Sequence, residues 1–236
     1  MTFVATTDLV RRARSTRSTI ALKMVMAVSG LIFVLWVLAH MYGNLKAFAG
    51  HDAFDAYAAH LRTMGEPILP YDGALWVIRA VLIVAVVAHI ASALVLWRRA
   101  DRARTVRYQM KKNKASTLSS RTMRWGGVAL LLFIVWHLMN FTIGKINVTG
   151  GPTNDPYNLV VDSFSTWWLT LVYLLAMVAL GMHIRHGVWS ASQTLGWTSN
   201  ARSRHRAKST GIFLAVLIAG GFSLVPIFVL AGVITK

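Results

Sequence analysis

The chain contains no cysteine. That excludes disulfides, thioether-linked haem and cysteine-ligated iron–sulfur clusters from it. Any such cluster that exchanges electrons with it must sit on another subunit. Acidic residues are also scarce: 8 Asp and Glu stand against 25 Lys and Arg, for a formal net charge of +17. None of the acids falls inside a long apolar run. Charged residues as a whole make up only 14% of the chain, against 56% hydrophobic. This is the composition of a membrane protein, not of a soluble domain.

Apolar segments lie at 24–43, 74–97, 126–144, 164–184 and 211–234. Each is about 19–25 residues long, enough to cross a ~30 Å hydrocarbon core at ~1.5 Å per residue. The expected fold is an all-α integral membrane protein with five spanning helices and no separate soluble domain. Residues 1–23 form a basic arm, in which Thr6, Thr7 and Asp8 suit the cap of a surface helix; a disordered tail is the alternative. Residues 24–236 form the five-helix domain. The first apolar run is too long, and lacks the small-residue site, for a cleavable signal peptide.

The net charge invites a nucleic-acid reading, and its distribution argues against one. Basic residues collect in the N-terminal arm, in the stretch from Arg98 to Arg124 and around Arg185 to Lys208. Only Lys46, Arg62, Arg79, Lys145 and Lys236 fall on the opposite side, with Asp52, Asp55, Glu66, Asp72, Asp155 and Asp162. The positive-inside rule then places the N-terminus in the cytoplasm and the C-terminus outside. The basic face suits anionic lipid or an acidic partner. Tryptophans mark both borders: Trp76, Trp167 and Trp168 outside, Trp97, Trp125, Trp189 and Trp197 inside. Residues 52–61 read as a short outer helix, 145–163 as irregular structure.

Each of the first four spans carries a histidine: His40, His89, His137 and His183. An ionisable residue at that depth marks a functional site by default. By helical rise, His89 and His183 lie about 8–12 Å from the cytoplasmic border, and His40 and His137 about 20–25 Å. The depths pair the second helix with the fourth, and the first with the third. A four-helix bundle places such pairs across its core, and two facing imidazoles are the ligand set of bis-histidine haem b. Zinc, a proton relay and quinone hydrogen bonding are the alternatives. Zinc and relays usually recruit carboxylates that these helices lack. His51, His60 and His205 lie in polar loops, and His186 is one turn nearer water than His183. Arg79 suits an outer haem propionate, and Arg121, Arg124 and Arg185 an inner one. Interfacial snorkelling explains the last three equally well.

The stretch from Lys23 through Ser29-Gly30 to His40-Met41-Tyr42-Gly43-Asn44-Leu45 resembles the first helix of the succinate dehydrogenase/fumarate reductase cytochrome b subunit. The likeness is to the single-polypeptide, five-helix, dihaem type. Ser120-Arg121-Thr122-Met123 with Gly126, Phe133 and His137-Leu138 fits the third helix; His183 and Gly187, followed by Trp189 and Gly196, fit the fourth. The resemblance implies a membrane anchor for a flavoprotein subunit and an iron–sulfur subunit on the cytoplasmic face of the plasma membrane. It implies two haem b groups, a distal one on His40 and His137 and a proximal one on His89 and His183. It implies quinone, typically menaquinone, as the electron acceptor, and is compatible with association of several complexes. For the quinone and its protons, Glu66, Asp55 and Asp72 are the outer candidates; Arg124, Trp125 and His186 are the inner ones. Alone, the chain has no flavin fingerprint and no means of oxidising succinate. The rival readings are an anchor of formate dehydrogenase or hydrogenase type, and a haemless anchor or transporter.

Overall fold

A computed structural model describes residues 3–103, 118–143, 146–151 and 153–236, with side chains from residue 19 onward. Among these residues the chain is entirely helical: α1 (Phe3–Leu45), a 3-10 turn (Lys46–Ala49), α2 (His51–Thr63), α3 (Gly73–Arg102), α4 (Leu118–Phe141), α5 (Pro156–Ser165), α6 (Trp167–Thr194) and α7 (Ala201–Leu230). Five helical stretches are long and apolar enough to cross a membrane: Thr19–Ala49, Gly73–Arg102, Leu118–Phe141, Trp167–Thr194 and Ala201–Leu230. Their apolar surface points outward, with Leu35, Val84, Leu132 and Val216 all at least two-thirds exposed. Water would not tolerate such a surface; lipid does, because each helix satisfies its own backbone.

The helices overrun the hydropathy boundaries, because apolar runs mark the hydrocarbon and not the helix. α1 passes through position 23 without a break, so the basic arm continues the first spanning helix as far back as Phe3. The Thr6–Asp8 cap falls among residues whose side chains are not described. α7 begins ten residues before its apolar run, where Asn200 and Ser203 form a reciprocal capping box. Arg202, Arg204, Arg206 and Lys208 therefore lie on a helix and not in a loop. The expected irregular stretch 145–163 is corrected at its end. Asp155 accepts from the Asn158 N–H, Pro156 takes the first turn, and α5 follows. Tyr157, Val160, Val161 and Phe164 are buried against Leu169, Tyr173, Val225 and Val229. The chain is extended at Thr166 before α6 starts. Arg104, Arg107, Lys111, Lys112 and Lys114 lie outside the described residues, as does Lys145.

Four helices make a ring, closed between α3 and α4 by the Trp97–Trp125 and Arg124–Asp101 contacts. α1 packs on α3 and α6, and α4 packs on α6, giving the order α3–α1–α6–α4. α1 and α4 are then diagonal partners, as are α3 and α6. α7 packs outside the ring on α6 and α1. Small residues allow that approach: a Cβ on Gly181 would stand 3.3 Å from the Ala219 Cβ, and one on Gly211 would stand 2.9 Å from the Arg185 carbonyl.

Candidate functional site

The ring diagonals bring the four histidines together in two pairs. His89 of α3 faces His183 of α6, with ring centroids 6.2 Å apart. His40 of α1 faces His137 of α4 at 5.7 Å. The chain crosses the membrane in alternating directions, so residues far apart in sequence meet at one depth.

Around the first pair the neighbouring backbones are stripped of side chains. A Cβ on Gly30 of α1 would lie 3.3 Å from His89 Cε1, and one on Gly127 of α4 would lie 3.6 Å from His183 Cε1. A larger residue at Gly30 would press on the imidazole. Ser29, beside it, fixes the ring's chemistry. Its hydroxyl donates to the Val25 carbonyl at 2.7 Å, and its oxygen sits 3.2 Å from His89 Nδ1. With its proton on Val25, the hydroxyl can accept from a protonated His89 Nδ1. The His89 tautomer with its proton on Nδ1 satisfies it, and leaves the Nε2 lone pair free for a ligand.

The second pair is walled by aromatics. Trp36 stacks on His40 at 5.7 Å with only 8° between the planes, and Phe222 tilts against the same ring. Phe133, Phe141 and Tyr173 surround His137. Next to them lies a buried polar network. Asn140, fully buried, donates from Nδ2 to the Ile146 carbonyl at 2.7 Å and to Ser163 Oγ at 3.2 Å. Its Oδ1 accepts from the Tyr173 hydroxyl at 3.0 Å. Network and aromatic wall together hold the α4 end that carries His137 against α5 and α6.

The centroid spacing of both pairs leaves room for a metal between two imidazoles. Such ligands, at ~2 Å metal–nitrogen bonds, have ring centroids roughly 6 Å apart. Among the described residues, His137 Nδ1 and His183 Nδ1 are buried without a hydrogen-bond partner. Each pair offers two nitrogen ligands and no carboxylate, which suits a planar macrocycle that brings its own four equatorial nitrogens. It does not suit a tetrahedral zinc site.

The other sequence candidates are scattered. Arg79 lies over the Trp76 ring at 4.9 Å. Arg124 pairs with Asp101 at 3.0 Å and covers Trp97, whose ring Trp125 also meets. Arg121 and Arg185 are exposed, and His186 is half-buried one turn from His183. Asp72 pairs with Arg62 at 3.2 Å. Asp55 accepts from the Tyr157 N–H and lies 3.7 Å from His51. Glu66 is exposed, and its carboxylate makes no hydrogen bond or ion pair among the described residues. The sequence carried no comparable signal for Asn140 or Tyr173, which acquire their roles from partners on other elements, and Trp36 is the i,i+4 neighbour of His40 on α1.

Residues 98–231 match the family model described as succinate dehydrogenase/fumarate reductase transmembrane subunit. No curated protein and no solved structure matches the chain.

Proposed function

The chain belongs to the succinate dehydrogenase/fumarate reductase transmembrane subunit family, and on that premise we propose that it is a dihaem cytochrome b anchor of a succinate:quinone oxidoreductase. The observation that carries the reading is the pair of diagonal histidine contacts, 6.2 Å and 5.7 Å between centroids, inside one four-helix ring. When bound, each haem b supplies a one-electron carrier. His89 and His183 would hold the group nearer the basic end, and His40 and His137 the group nearer the opposite end.

The protein's own contribution is placement and exclusion. Neutral imidazoles avoid the cost of a charge in lipid. Gly30 and Gly127 keep the walls of the first pair open to a flat ring. Trp36, Phe222 and the Phe133–Phe141 wall keep water from the second pair. The family membership implies flavoprotein and iron–sulfur partners, which supply the cluster and flavin chemistry that a chain without cysteine lacks. The clustering of Lys and Arg supports an orientation with the basic end in the cytoplasm of a bacterial-type plasma membrane, where those partners dock. The N-terminal residues 1–23 then form a basic extension of the five-helix domain.

We place the acceptor, a quinone of menaquinone type, at the end opposite the basic one. Of the three carboxylates anticipated there, Asp55 and Asp72 are engaged in ion pairs, so Glu66 is the one available to exchange protons. One experiment tests the donor and the orientation together. Succinate added to inside-out membrane vesicles containing the intact complex should develop a reduced b-type α band. Succinate added to right-side-out vesicles, which it enters poorly, should not. A band appearing only in right-side-out vesicles would reverse the orientation, and reduction by neither would remove succinate as donor.

A further inference from the structure

A second group of ligating side chains lies at the end of the bundle remote from the basic stretches and shares no residue with the four paired histidines. His51 is the first residue of α2, Asp55 stands one turn on, and Asp155 caps α5. His51 Nε2 is 2.7 Å from Asp155 Oδ2 and 3.7 Å from Asp55 Oδ2, and one donor atom from each residue lies within 4.8 Å of the others. In a tetrahedral site with bonds of ~2.0–2.2 Å, ligand atoms stand roughly 3.3–3.6 Å apart. The His51–Asp55 spacing lies close to that range, and the His51–Asp155 hydrogen bond must open by roughly 0.6 Å to admit an ion.

The atoms facing away from the centre are already held. Asp52 Oδ1 lies 3.3 Å from His51 Nδ1, the carboxylate–imidazole arrangement that turns the opposite nitrogen toward a metal. The Asn158 N–H donates to Asp155 Oδ1 at 2.8 Å, and the Tyr157 N–H donates to Asp55 Oδ1 at 3.2 Å. Each donor group is partly open to solvent, which leaves room for water as a fourth ligand.

Electrostatics point the same way. The hydrogen bond to Asp155, followed by that to Asp52, raises the His51 pKa above its ordinary value. Burial, then the neighbouring negative charge of Asp155, raises that of Asp55. Two carboxylates crowd one spot beside the imidazole.

We propose that His51, Asp55 and Asp155 form a binding site for a zinc-class divalent cation. One imidazole nitrogen with two carboxylate oxygens suits zinc and its first-row neighbours. Magnesium and calcium favour all-oxygen shells of six or more ligands. The bound ion displaces the His51 proton and ties α2, which follows α1, to α5, which precedes α6.

The test uses the full chain with its native partner subunits, without a polyhistidine tag, purified in detergent and stripped with a chelator. Zinc chloride is titrated calorimetrically, with magnesium chloride as the control. One zinc per chain and no magnesium binding are expected. His51→Ala and Asp155→Asn should each weaken zinc binding at least ~10-fold. Asn caps helices as well as Asp, so Asp155→Asn preserves α5 and isolates the ligand's loss. His60→Ala, on the exposed far end of α2, should bind as the parent does. Absence of zinc binding in the parent would overturn the site. So would unchanged affinity in both His51→Ala and Asp155→Asn, which would leave the three residues as an ion-paired clasp. The result does not depend on haem content, so failure here leaves the dihaem reading standing.

Discussion

Replacing His89 or His40 by alanine is expected in each case to remove about one of two haems from the purified chain, and replacing both to remove nearly all. The reasoning is geometric. His89 shares its centre with His183, and His40 shares its centre with His137. Each haem would be held by two imidazoles, and removing one takes away half of the protein's bonds to it. Partners in one pair act as a unit, so their effects should not add. The combination His89→Ala with His183→Ala should lose no more haem than either alone. The combination His89→Ala with His40→Ala should lose nearly all. Pyridine haemochrome assays normalised to protein measure this directly. Full haem retention in His89→Ala, or loss of all haem from the same-pair double variant alone, would refute the diagonal pairing.

The second large effect is expected at Asn140. It is fully buried and joins three partners: the Ile146 carbonyl, Ser163 and the Tyr173 hydroxyl. Asn140→Leu keeps the branched shape and heavy-atom count, though the side chain is larger, and strands the Tyr173 hydroxyl and the Ile146 carbonyl in an apolar cluster. An unsatisfied buried polar group costs about 1–3 kcal/mol. Hydrogen bonds within bilayers have averaged nearer ~0.6 kcal/mol in double-mutant cycles, so a net loss of about 1–3 kcal/mol is expected for the network. Tyr173→Phe removes one of these bonds and should cost less than half as much. Because the Tyr173 ring stands 6.2 Å from His137, the damage should be local. Thermal denaturation in detergent should show a lowered midpoint for Asn140→Leu. Its spectrum should change at the His40–His137 centre and leave the His89–His183 centre as in the parent. An unchanged midpoint would show that the network is dispensable.

Both predictions concern residues of very different visibility. The histidines were legible because each is an isolated ionisable side chain in a long apolar run, and the ~1.5 Å helical rise converts position to depth. Pairing by depth matched the ring diagonals without knowledge of which helices touch. Spans were legible for the same reason, though their ends were not. α7 starts at a capping box in polar sequence, which hydropathy ignores. α5 was hidden by the Asn, Pro and Asp residues around its start, although Asp155-Pro156 is itself a helix-start signal. Gly187 accompanies His183 in the fourth-helix resemblance. A Cβ there meets nothing within 4 Å, whereas Gly127, on another helix, faces the His183 ring. Close approach between helices is a property of two positions, and a single sequence names only one at a time. Ser29 and Asn140 were obscure for that reason too: a serine or asparagine in a spanning helix acquires meaning from the partner opposite. Asp55, an outer candidate for quinone protons, also lies with His51 and Asp155, a grouping across two elements that no single-sequence pattern gives.

The central claim is that one chain holds two haem b groups, one on each histidine pair. Haem per chain in the purified complex tests it most directly, measured as pyridine haemochrome against quantitative amino-acid analysis. The account predicts two haem b per chain, resolved as two components in a redox titration. A value of one would dissolve one of the pairs, and the absence of b-type haem would contradict the reading altogether.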